Sequence, residues 1–171
     1  MNIERVKDRC IRREGKKNKR YRCSREFDSI GNGWNIDANP LPEHIAAHLR
    51  MNGYITDEMI SELLEISLAA VITDCLEIWP DMPKYSDLRQ EALVDVIFNM
   101  GPGKVLRTFP SFVRAVKRQD WQRAADELKY VDGLKKVRLS LYWTQLHGDP
   151  DGIDDGKFER PEEVYKMLVG G

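Results

Sequence analysis

At 171 residues, 42% of them hydrophobic and 32% charged, the chain is long enough for one compact domain or two small lobes around a real core. It has no apolar run of eighteen residues, which excludes a membrane-spanning helix, and its start, Met1-Asn2-Ile3-Glu4-Arg5, lacks the apolar centre of a secretory signal. The net charge of −1 hides a split: residues 1–25 hold eleven Lys or Arg against three Asp or Glu, leaving that segment at +8.

In chain order, the first predicted element is a short helix. Ile3, Val6, Cys10 and Ile11 recur at the three-and-four spacing of one face, with Glu4, Arg5, Asp8, Arg9 and Arg12 on the other. Glu14 ends this helix and Gly15 caps it. A carboxylate at the negative end of a helix dipole is held there at a cost, a position suited to an acid whose pKa is raised. Residues 16–34 read as short strands joined by turns, with Lys16-Lys17-Asn18-Lys19-Arg20 as a solvated hairpin end. Tyr21, Phe27, Ile30 and Trp34 are the apolar anchors, and Gly31-Asn32-Gly33-Trp34 is a tight turn whose glycines let backbone approach a ligand.

Pro40 and Pro42 precede a brief helix over residues 44–51. Thr56 is an N-cap, followed by Asp57 and Glu58 in the first turn of a long helix that Pro80 and Pro83 stop. Ser86 or Asp87 opens the next helix, whose run Ala92, Leu93, Val94, Val96, Ile97 and Phe98 predicts burial on most sides. Shorter helices are expected over 111–116, 120–128 and 134–146, and a terminal one over 162–169 packing Val164, Tyr165 and Leu168. Oxygen-rich residues at 149–156 lack the twelve-residue calcium-loop pattern and are explained as turns.

Spacing singles out a candidate site. Eight residues separate Glu14 from Cys23 and five separate Cys23 from Ser29, so one carboxyl, one thiol and one hydroxyl can converge. Read singly, each has a plainer account: a surface glutamate paired with Arg12, Arg13 or Lys17, a small buried thiol, an ordinary serine. Arg22 and Arg25 would lower the thiol pKa of Cys23 if they shared its face, but immediate neighbours on a strand point oppositely. Cys10, Cys23 and Cys75 are an odd number of cysteines and read as reduced thiols. His44 and His48 have a metal-type i, i+4 spacing without a third ligand, so these two and His147 are taken as surface residues, and neither metal nor cofactor is expected.

The run Arg12-Arg13-Glu14-Gly15, then Tyr21, Cys23 and Ser29-Ile30-Gly31-Asn32-Gly33, resembles the catalytic region of phage-type lysozymes (glycoside hydrolase family 24), without a gap from Glu14 to Trp34. Further blocks follow in that family's order: Ile55-Thr56-Asp57-Glu58, Phe98-Asn99-Met100-Gly101, Phe109-Pro110-Ser111-Phe112 and Asp120-Trp121-Gln122-Arg123-Ala124-Ala125. The resemblance covers residues 3–148. It departs in Cys23, where the family's most familiar member has aspartate and cysteine is an accepted variant, and in Ser29, where threonine is usual. Gly133-Leu134-Lys135-Lys136-Val137-Arg138 keeps only part of a pattern whose arginine pairs with the catalytic glutamate, which leaves open whether Lys135, Lys136 or Arg138 faces Glu14.

The resemblance implies an α+β, mainly helical lysozyme-like fold over residues 1–148. A small lobe (14–56) and a larger helical lobe (57–148, with the N-terminal helix) would flank a cleft, and 149–171 would form an extension. It implies a monomeric muramidase or endolysin that cleaves the β-1,4 bond between N-acetylmuramic acid and N-acetylglucosamine. Glu14 would be the general acid, Cys23 would stand in the carboxylate's place, Ser29 would hold the water, and Gly33, Phe98 and Asn99 would bind glycan. Such an enzyme waits in the host cytoplasm until a separate pore admits it to the wall. The basic segment suits a polyanionic wall as well as nucleic acid, and no zinc-finger, RNA-recognition or basic-zipper signature supports the latter. Three other functions remain: a lytic transglycosylase on the same bond, a phage protein that binds wall without cutting it, or a basic nucleic-acid-binding module whose binding follows the N-terminal charge and survives loss of Glu14.

Overall fold

Helix α1 (Ile3–Glu14) forms where the apolar periodicity places it, with Val6 and Cys10 buried. Its polar face is less polar in space than in sequence. Arg9 and Arg13 are each only 6% exposed, whereas Ile3 is 37% exposed. The long aliphatic stems of arginine cover apolar surface as a leucine would. The computed structural model describes residues 1–23, 26–131, 133, 140, 142 and 160–171. Arg25, Lys135, Lys136, Arg138, His147, the predicted helix over 134–146 apart from residues 140 and 142, and the acidic turns at 149–156 lie outside the described residues.

Three short strands follow, β1 (Lys17–Arg22), β2 (Asp28–Gly31) and β3 (Trp34–Asn35), antiparallel in the order β1-β2-β3. The lysine-rich run expected as a hairpin end is therefore strand β1. Its side chains are exposed except at Tyr21, so it shows no apolar alternation to read. The reversal lies beyond it: the Cys23 N–H donates to the Phe27 carbonyl at 3.0 Å, and the Glu26 N–H to the Cys23 carbonyl at 2.8 Å. Phe27, expected as an anchor, is 45% exposed on this turn. The β1–β2 ladder is irregular: Lys17 faces Gly31 but Tyr21 faces Ser29, so β1 carries two extra residues between those pairs. The carbonyl of Asn18, within that bulge, accepts the Ile55 N–H at 2.8 Å.

Helix α2 (Glu43–Asn52) and the start of α3 (Asp57–Ile78) cover the sheet. Ile30, Ile45, Leu49, Ile55, Ile60 and Leu63 form one buried cluster, with Trp34, Ile36, Leu41 and Met59 packed against it. Thr56 caps α3 as predicted, accepting the Met59 N–H at 3.4 Å. Lys7 on α1 reaches Glu65 on α3 at 2.7 Å, and Lys16 reaches Asp57 at 2.7 Å. These residues belong to a first compact unit, Glu4–Ala70.

The second unit comprises Met1–Ile3 and Val71–Gly171. Its centre is α4 (Asp87–Met100), capped by Ser86 and buried from Glu91 to Ile97, Glu91 and Asp95 included. Around it lie α5 (Pro102–Thr108), α6 (Pro110–Lys117), α7 (Trp121–Lys129, capped by Asp120) and α8 (Arg160–Gly170). Trp79, fully buried, meets the Phe112 ring edge-on at 5.7 Å. Arg160 on α8 reaches Asp95 on α4 at 3.3 and 3.4 Å, with both side chains buried. Arg89 stacks on Trp121 at 4.6 Å and donates from Nε to the Leu168 carbonyl at 3.1 Å. The terminal helix thus packs by Val164, Met167 and Leu168 and is also hydrogen-bonded at its C-terminal end. The architecture is α+β and mainly helical, and among the described residues no helix is long and apolar enough to cross a membrane.

Candidate active site

Glu14 is the last residue of α1 and is exposed. The helix ends there because Gly15 turns left-handed, φ +67°, a conformation glycine adopts without the penalty a Cβ would bring. Its N–H still donates to the Ile11 carbonyl at 2.9 Å, so the turn carrying Glu14 is closed by a hydrogen bond. One residue past the cap, the chain enters β1.

Cys23 lies immediately after β1 and is half-buried, while Ser29, in the middle of β2, is 2% exposed. One backbone atom draws them together. The Phe27 carbonyl accepts both the Cys23 N–H at 3.0 Å and the Ser29 hydroxyl at 3.4 Å. With its proton committed to that carbonyl, the Ser29 oxygen retains acceptor capacity. Arg22, a candidate for lowering the Cys23 pKa, donates instead to the Glu26 carbonyl at 3.1 Å. None of the three cysteines is in a disulfide. Cys10 and Cys75 are buried in helices, and burial pushes the Cys75 thiol up to about 12.

Tyr21 faces Ser29 directly across the β1–β2 ladder. Its pKa is raised, first by burial, then by the negative charge of Glu14 and then by Cys23. The phenol therefore stays neutral and feels both ionisable groups. Tyr21, expected as an apolar anchor, is half-buried at this pairing.

The turn between β2 and β3 is a three-residue connection, Gly31-Asn32-Gly33, closed by the Ile30–Trp34 pair. Gly31 and Gly33 have φ of +66° and +89°. Asn32 between them is buried, and its Nδ2 donates to the Gly15 carbonyl. This contact was missed in the sequence, where Asn32 reads only as a turn residue. Gly33 is exposed on the same turn.

Phe98 and Asn99, half-buried at the C-terminal end of α4, belong to the second unit, whereas Glu14, Cys23, Ser29 and Gly33 belong to the first. His44 pairs with Glu62 at 3.0 Å and His48 meets the Tyr54 ring edge-on at 5.5 Å. Among the described residues no three His, Cys, Asp or Glu side chains form a metal-type group.

The family model described as Phage lysozyme matches residues 11–141, most of the chain and every candidate site residue. The chain belongs to the phage lysozyme family. No curated protein matches it. As a phage lysozyme it is a glycoside hydrolase that degrades peptidoglycan, and the Glu14-to-Gly33 region falls inside the part that defines the family. Helix α8 lies beyond the lysozyme match, yet it packs on α4 and α7 within it.

Proposed function

We propose that this lysozyme hydrolyses the β-1,4 bond between N-acetylmuramic acid and N-acetylglucosamine with Glu14 as general acid. The observation that carries this reading is the family match over residues 11–141, which takes in Glu14, Cys23 and Ser29, with Tyr21 paired to Ser29 across the β1–β2 ladder. Protonated Glu14 gives its proton to the glycosidic oxygen as the sugar gains oxocarbenium character. Ser29 accepts a hydrogen bond from the attacking water. Cys23, beside it on the shared Phe27 carbonyl, takes the water's proton as a thiolate and so fills the place of the carboxylate. Water attack on the opposite face inverts the anomeric centre. Gly33, Phe98 and Asn99 hold the glycan chain, a role supported by the resemblance to the family. The enzyme acts as a monomer on wall that a separate pore makes accessible.

Purified peptidoglycan treated with wild type, Glu14→Gln and Cys23→Ser, followed by mass and anomeric analysis of released sugars, tests this. Glu14→Gln is expected to lose at least 100-fold in rate, the scale of a general acid, and wild type to release reducing muropeptides of inverted configuration. Anhydro products, lighter by one water, would assign a lytic transglycosylase. Full activity in folded Glu14→Gln would overturn the assignment of the acid.

A further inference from the structure

We propose that Asn32 is a positioning residue for Glu14, holding the end of α1 against the glycine turn by one side-chain amide. The inference rests on Glu14 being the acid. Three observations carry it. Asn32 is 8% exposed, in a turn flanked by two glycines that give it no lateral packing of their own. Its Nδ2 donates to the carbonyl of Gly15, the residue covalently next to Glu14. Its other polar atom, Oδ1, is buried and has no hydrogen-bond partner among the described residues.

The Gly15 carbonyl takes its side-chain donor from Asn32, and an apolar side chain of the same size at position 32 would leave that carbonyl without it. Glu14 is the final helical residue, and the carbonyls of a last helical turn have no partner within the helix. Gly15 has the widest backbone freedom of any residue. Left alone, such an end frays and takes the carboxyl with it. With the Gly15 N–H on Ile11 and the Gly15 carbonyl on Asn32, both sides of that residue are fixed. Gly33, next to Asn32, is exposed on the same turn, so the amide also ties the acid to the backbone proposed to meet the glycan.

The test uses the full chain with soluble peptidoglycan fragments, so that kcat and KM separate. Asn32→Leu is expected to lose about tenfold in kcat per folded molecule and to leave KM unchanged, the pattern of a misplaced acid. In Asn32→Asp the rate relative to wild type is expected to recover as pH falls, because a protonated carboxyl again donates to the Gly15 carbonyl. Amide exchange at Gly15, read without substrate, is expected to quicken at least tenfold in Asn32→Leu. Lower stability with kcat per folded molecule unchanged would overturn the proposal in favour of a structural role. If wild type releases nothing from the fragments, the muramidase reading fails by itself. The Gly15 exchange rate then decides alone whether Asn32 fixes the helix end, and an unchanged rate would sink it.

Discussion

Cys75 shows how burial changes a side chain's chemistry. It is fully buried in α3 and its thiol is pushed up to about 12, chiefly by loss of water and secondarily by the Asp74 charge. A group whose folded pKa is raised contributes stability that is complete below its unfolded pKa and is lost as pH climbs toward the folded value. The window here runs upward from 9.0, and at about 1.4 kcal/mol per unit the loss reaches about 2 kcal/mol by roughly pH 10.5. Cys75→Val has no such proton, so its urea midpoint should fall less between pH 8 and about 10.5 than that of wild type. Tyr21 and Tyr85, also raised, titrate in both proteins and cancel in the comparison. Parallel curves for the two proteins would mean that the thiol carries none of the alkaline instability.

Elements whose signal is local were legible in the sequence, and those whose logic is tertiary were not. Thr56, Ser86 and Asp120 announced three helix starts because a short polar side chain before an apolar run has few other uses. Helix α5 was missed because Pro102 and Gly103 look like breakers, yet proline at the first helical position loses no hydrogen bond. Short strands were expected across residues 16–34, but the lysine-rich part of β1 reads as a hairpin end because its side chains are nearly all polar and its bulge spoils any period. The Phe27 carbonyl shared by the Cys23 N–H and the Ser29 hydroxyl, and the Asn32 amide on the Gly15 carbonyl, were not legible, since none of these hydrogen bonds has a sequence signature. The buried Arg160–Asp95 pair between α8 and α4 is another such tertiary feature, hidden in two charged residues 65 positions apart. Removing one member strands a buried charge, so Arg160→Met alone should cost about 3–5 kcal/mol. Arg160→Met with Asp95→Leu should restore most of it in a denaturant titration. A double variant no better than the single one would show that the remaining partners of Asp95 dominate.

For the molecule as a whole, charge is arranged by segment rather than by total. Of the +8 of residues 1–25, α1 carries +2 and β1 +4, and the β1 cations are exposed. Exposed cations attract an anionic wall over a Debye length of about 10 Å at roughly 0.1 M salt, and that attraction is screened as salt rises. Clearing of whole walls should therefore slow several-fold between about 20 and 200 mM sodium chloride, while cleavage of short neutral oligosaccharides should barely change. Equal salt sensitivity on both substrates would place the effect in the site or the fold. The same division applies to the terminal helix. It lies outside the family match but buries Leu168 and Val164 within the second unit, so it is part of that unit's core.

The two surplus residues of β1 bear on how kinship is recognised. A ladder running evenly from Lys17–Gly31 would set Lys19 opposite Ser29, and the slack places the Tyr21 phenol there instead. The eight-residue interval between Glu14 and Cys23 is therefore partly a measure of the bulge, whose Asn18 carbonyl is already occupied by Ile55. A relative that shed both residues and the Ile55 tether would keep the same chemistry at a shorter interval. A search that demands the interval would pass over it.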